Sequence, residues 1–262
     1  MTNLGTRLLA AAAFALALGQ AQAAVQSKAI EYDDHGTKLT GHLYWDDAVT
    51  GKRPGVLVIH EWWGLNDYAK KRARMLAELG YVAFAADMYG DGKVTDQREQ
   101  ASQWMQQITA DVDLWRERAG LGLAQLKASA LVDGGRVAAV GYCFGGGTVL
   151  QMAYGGADVA GVVSFHGSLP AAPEESKGRI KTKVLALHGQ ADGMVPPEVV
   201  KNFEAKLAAA DANWELVSYG GVRHGFTNPD AGRYGIPNLK YDAQADARSW
   251  ERMKGFFAEI FR

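Results

Sequence analysis

The sequence predicts an α/β fold: a mostly parallel central sheet, helices on both of its faces and no large cap domain. Three observations predict it. Short runs of small and β-branched apolar residues recur along the chain, and stretches with helical apolar spacing separate them. The runs end in polar or glycine residues, as strands do when their carboxyl ends form one functional edge. With 262 residues, 48% of them apolar, the chain can bury one large core without a second domain.

Residues 1–23 stand apart from this pattern. One arginine, an apolar run over 8–18 and the Ala21-Gln22-Ala23 triplet have the form of a secretory signal peptide. Cleavage near Ala23 is expected to leave a domain over 24–262, exported, most simply to a periplasm, and not attached to a membrane. No later stretch approaches the ~20 apolar residues of a spanning helix.

Residues 25–34 and 38–45 alternate apolar and polar side chains around His35-Gly36, the signature of an antiparallel hairpin at a sheet edge. Residues 55–61 form a buried strand running into His60-Glu61. A loop with Trp62 and Trp63 follows, and then a helix over 68–79 that Gly80 terminates. The strand over 81–87 ends at Asp87, with Tyr89 just beyond it. Helical patterns cover 96–108 and 111–127, too little sequence for a cap. Further strands are expected at 159–167, 183–189 and 214–219, with helices at 197–210 and 244–261.

The stretch over 137–147 organises the rest. An apolar strand runs into Gly141-Tyr142-Cys143-Phe144-Gly145, and Gly145, Gly146 and Gly147 read as a tight turn opening a helix. Strand, sharp turn and helix, with glycines two before and two after the apex, make a nucleophile elbow carrying a thiol. At the helix N-terminus the backbone dipoles favour thiolate over thiol. The N–H of Phe144 points the same way and could stabilise an oxyanion. Cys143 is the only cysteine, so it cannot form an internal disulfide.

A base and its orienting acid must come from the other strand ends, which offer His60, Glu61, Asp87, His166, His188, Asp192 and His224. Nucleophile, acid, histidine is the chain order of an elbow-type triad, which selects Cys143, Asp192 and His224. His188 is the rival base, four residues before Asp192. No metal is expected, because His60 and His166 lack a ligand spacing such as His-x-x-x-His. With a formal net charge of −1 and no basic patch, nucleic acid is not an expected partner. No cofactor is implied, and a monomer is the expected form.

These residues resemble the dienelactone hydrolase family of α/β-hydrolases. The resemblance spans most of the chain after residue 54, through His60-Glu61, the Gly141-Tyr142-Cys143-Phe144-Gly145-Gly146 elbow, His188-Gly189 with Asp192, and His224-Gly225-Phe226. It implies that Glu61 holds the resting thiol protonated until substrate displaces it, and that the N–H of Trp62 is the second oxyanion donor. It also marks a departure. Two arginines that grip a substrate carboxylate in the family fall here on Gly90 and Asn228, which offer no guanidinium fork; Arg223 and Arg233 are the nearest replacements. Without the clamp, Trp63 and Tyr89, with Trp62 and Phe144, are expected to line a pocket for an apolar acyl or lactone group. The expected activity is a cysteine-dependent hydrolysis of small esters or lactones through a thioester. The alternative is a low-turnover binding or redox-responsive protein that uses the lone thiol on the same fold.

Overall fold

The computed structural model describes residues 25–262; the signal-peptide reading of residues 1–23 lies outside them. Eight strands form one sheet in the order β1-β2-β4-β3-β5-β6-β7-β8. β1 (Val25–Asp34) and β2 (Thr37–Asp46) make the predicted edge hairpin. His35 and Gly36 both take positive φ at its tip, as a two-residue turn requires. β2 joins β4 (Val82–Ala86) antiparallel. From there the sheet is parallel through β3 (Arg53–Ile59), β5 (Val132–Tyr142), β6 (Gly161–Phe165), β7 (Lys183–Gly189) and β8 (Trp214–Tyr219).

The helices divide between the two faces, because side chains alternate across each strand. On β3, Leu57 and Ile59 join the core beneath α3 (Val112–Ala128), α4 (Phe144–Tyr154) and α5 (Pro197–Ala209). Val56 and Val58 join the opposite core, which α1 (Asp67–Glu78) and α6 (Ala243–Ile260) cover. All four β3 side chains are fully buried, so the strand must be apolar on both faces. α2 (Arg98–Thr109) packs on α3 and adds no separate domain.

Two details differ from the sequence reading. β5 begins at Val132, because a bulge opposite Pro54 and Gly55 lets the chain pass Gly134-Gly135 and resume pairing at Val137. Gly145, Gly146 and Gly147 are not a turn; they are the first coils of α4, which begins at Phe144.

Candidate active site

The elbow is sharp because α4 starts one residue after the strand apex. Cys143 takes φ 55° and ψ −114° between β5 and α4, a conformation a non-glycine residue holds only when its surroundings impose it. The flanking glycines are needed for space. A Cβ on Gly141 would lie 1.9 Å from the Gly145 carbonyl oxygen, and one on Gly145 would lie 2.3 Å from that of Ile59. Gly146 and Gly147 let α4 pass close to Gly167 and to the Ser168 hydroxyl, where a Cβ would lie 2.7 Å and 2.4 Å away.

His224, in the loop after β8, donates from Nδ1 to the Asp192 carboxylate at 2.7 Å; both side chains are buried. This bond leaves His224 Nε2 facing Cys143. Nε2 takes no hydrogen bond of ordinary geometry, yet the sulfur is near enough to act on it electrostatically. Burial disfavours the imidazolium. Charge on Cys143 and the bond to Asp192 outweigh that penalty and push His224 up to about 10. The fold thus brings together three side chains that lie 49 and 32 residues apart in sequence.

The other strand-end histidines have different surroundings. His166 is buried under the elbow, where its Nδ1 accepts the Cys143 N–H at 3.2 Å and its Nε2 meets the Thr227 hydroxyl at 2.7 Å. Burial holds it well below the ordinary histidine range. The chain of bonds continues from Thr227 to Tyr68 at 2.5 Å and from Tyr68 to Arg72 at 3.2 Å. His188 is buried with Nδ1 unpartnered and neutral in tendency, and it makes no bond to the elbow. Sequence reasoning missed the His166 network, since Tyr68 lies 159 residues from Thr227. Among the described residues the one trio spaced to hold a metal is Asp34, His35 and Glu117, at the β1–β2 turn and outside this site.

Glu61 is buried directly after the β3 strand end, and its carboxylate accepts from Asn228 Nδ2 at 2.7 Å. Burial raises it from 4.5 to about 7, opposed by that bond, by His224 and by Arg72. Asn228 stands where the family resemblance places a substrate-gripping arginine; in this chain it holds the glutamate. Arg223 bonds the Pro237 carbonyl on the surface, and Arg233 lies over Tyr234, so neither replaces the clamp at Cys143.

Cys143 opens onto a cavity of about 450 Å³ whose wall includes Trp62, Met105, Trp115, Phe144, Pro170 and Met194. Among the described residues, no lysine, arginine, aspartate or glutamate lines it. Trp63 and Tyr89, expected in this wall, stand behind it. Trp63 is fully buried, stacked on Tyr234 at 3.8 Å. The Tyr89 hydroxyl donates to the Trp62 carbonyl at 3.0 Å and so supports the wall from outside. Their places are taken by Met105 and Trp115, on helices that carry no strand-end signal in the sequence. The N–H groups of Trp62 and Phe144 bond no acceptor among the described residues. A larger cavity of about 540 Å³ lies beyond Asn228, lined by Asp67, Lys70, Asp96 and Arg233; it does not reach Cys143, so reactive groups rather than size locate the site.

Comparison with known proteins places these features in context. The model of the Dienelactone hydrolase family matches residues 39–261. A dienelactone hydrolase-like promiscuous phosphotriesterase from metagenomic libraries is 42% identical, with a TM-score of 0.88 over 91% of this chain and 100% of that one. Protein usf of Aquifex pyrophilus is 28% identical over 88% of this chain and 97% of its own. A Saccharolobus solfataricus protein with a provisional carboxymethylenebutenolidase name is 27% identical over 89% of this chain and 98% of its own. The fold is that of the α/β-hydrolases, with no added domain among the described residues.

Proposed function

Because the chain belongs to the dienelactone hydrolase family, we propose that it is a cysteine-dependent hydrolase of small, neutral esters or lactones. One observation carries the reading. The single thiol sits at the apex of the elbow, beside a histidine bonded to a buried carboxylate, and faces a cavity whose described wall has no lysine, arginine or acidic residue.

In this reading the Cys143 thiolate adds to the substrate carbonyl carbon, and the carbonyl electron pair moves onto oxygen. The N–H groups of Phe144 and Trp62 stabilise that oxyanion. As the tetrahedral adduct collapses, the C–O bond to the leaving group breaks and His224 gives its proton to the departing alkoxide. His224 then removes a proton from water, which attacks the thioester and releases the carboxylic acid and the thiolate. Asp192 holds the imidazole with its proton on Nδ1. Trp63 and Tyr89 act through the cavity wall rather than on substrate. Asn228 holds one oxygen of Glu61 and leaves the other free to act on the thiol.

With no lysine or arginine among the described residues of its wall, and with His224 paired to Cys143 and Asp192, the cavity offers a substrate carboxylate no free cation and so favours neutral acyl groups. It also suits a neutral phosphotriester, a second substrate class suggested by the 42% identical relative. Hydrolysis of short aryl esters, neutral lactones, an aryl phosphotriester and dienelactone tests both. Turnover of neutral substrates well above that of dienelactone, abolished in Cys143→Ala, is the expected result. Equal rates in Cys143→Ala would leave a binding or redox-responsive protein on a hydrolase scaffold. We also propose that residues 1–23 direct export and are removed.

A further inference from the structure

His60 ends the run of β3 and is fully buried. It does not line the Cys143 cavity, and no step above uses it. Its two ring nitrogens nevertheless have defined and different tasks. The Met88 N–H points at Nε2 at 3.2 Å, so Nε2 must accept. The proton therefore sits on Nδ1, 2.5 Å from the Glu61 carbonyl oxygen, and is donated to it. Burial favours the neutral ring that this arrangement needs.

The accepting carbonyl matters because of what shares its peptide unit. The Glu61 C=O and the Trp62 N–H belong to one rigid plane. A donor on the carbonyl fixes the orientation of that plane and polarises its N–H. The main chain of His60 acts on the other donor. Its carbonyl accepts the Gly145 N–H at 3.1 Å, tying β3 to the first turn of α4 next to Phe144. A Cβ on Gly145 would lie 2.7 Å from that same oxygen, so the approach is as close as backbone allows. The ring also packs on Phe144 and Tyr89, at 5.9 Å and 5.0 Å between centroids.

We infer that His60 is a positioning residue for the oxyanion hole: its imidazole aims the Trp62 N–H and its carbonyl anchors the turn that presents the Phe144 N–H. The inference rests on the hydrolase reading above, and it assigns His60 neither a metal nor a proton-transfer task.

The test separates oxyanion binding from thiol reactivity. An aryl trifluoromethyl ketone accepts the Cys143 thiolate at its carbonyl carbon, and the electron pair moves to oxygen as an oxyanion. ¹⁹F NMR titration gives the affinity of that adduct, and iodoacetamide alkylation reports the thiol without an oxyanion. His60→Leu removes the imidazole donor. Adduct affinity is expected to fall by about tenfold or more, below the ~10²–10³ cost of deleting such a donor outright, while the alkylation rate stays within about twofold. His60→Asn carries an N–H near the Nδ1 position and restores most of the affinity. A folded His60→Leu with unchanged adduct affinity overturns the inference, as does a parallel loss of alkylation. Imidazole ¹⁵N shifts of the unmodified protein need no variant: a proton on Nδ1 is expected, and one on Nε2 overturns the assignment. The two readings fail separately, since no adduct on the unmodified protein overturns the thiol hydrolase itself.

Discussion

The buried Glu61–Asn228 pair makes stability depend on pH. The Glu61 carboxyl sits at about 7 in the folded protein against 4.5 when exposed, chiefly through burial. Between those values the folded chain holds a proton that the unfolded chain has released, so this group makes stability fall as pH rises from about 4.5 through 7. Glu61→Gln keeps the shape and can still accept from Asn228, but it has no charge to desolvate. Thermal melts from pH 5 to pH 8 are expected to show a smaller loss of Tm in Glu61→Gln than in the parent. An equal loss in both would mean that the carboxyl is ionised at little cost.

The β5–α4 elbow is where helix geometry and function compete for the same atoms. Three glycines follow Phe144 at the start of α4, poor helix formers at roughly 1 kcal/mol each relative to alanine, because its first turn must pass close to β3 and to the loop after β6. Gly145→Ala would press a methyl group to 2.3 Å from the Ile59 carbonyl oxygen, a backbone atom that cannot swing aside. A loss of at least ~1–3 kcal/mol is expected in chemical denaturation, with loss of the proposed activity as Phe144 shifts. Gly120 in α3 is the control. It is exposed, with open space around its missing Cβ, so Gly120→Ala should stabilise by ~0.5–1 kcal/mol. Similar changes at both positions would remove the packing explanation.

Across the molecule, two separate apolar cores clamp the sheet, and the strand ends collect along one edge between them. The hairpin that begins at Val25 pairs with β4 and belongs to this sheet. N-terminal sequencing of protein recovered from an export-competent host is expected to start at Ala24 or Val25. Recovery with Met1 retained would overturn the proposed signal.

The primary structure by itself determined what depends on local order: the alternation of strand and helix, the hairpin turn at His35-Gly36, the elbow around the one cysteine, and the sequential layout of Cys143, Asp192 and His224. These are legible because period, glycine spacing and strand-end position are properties of short stretches. Tertiary structure decided what depends on approach between distant segments. It turned Asn228 toward Glu61, put His166 beneath the elbow, and moved Trp63 and Tyr89 behind the cavity wall while Met105 and Trp115 came to line it. No periodicity encodes those choices. They follow from which side chains fit and find partners once the sheet has closed, where an unpartnered buried polar group is costly and an aromatic ring packs wherever a face is free.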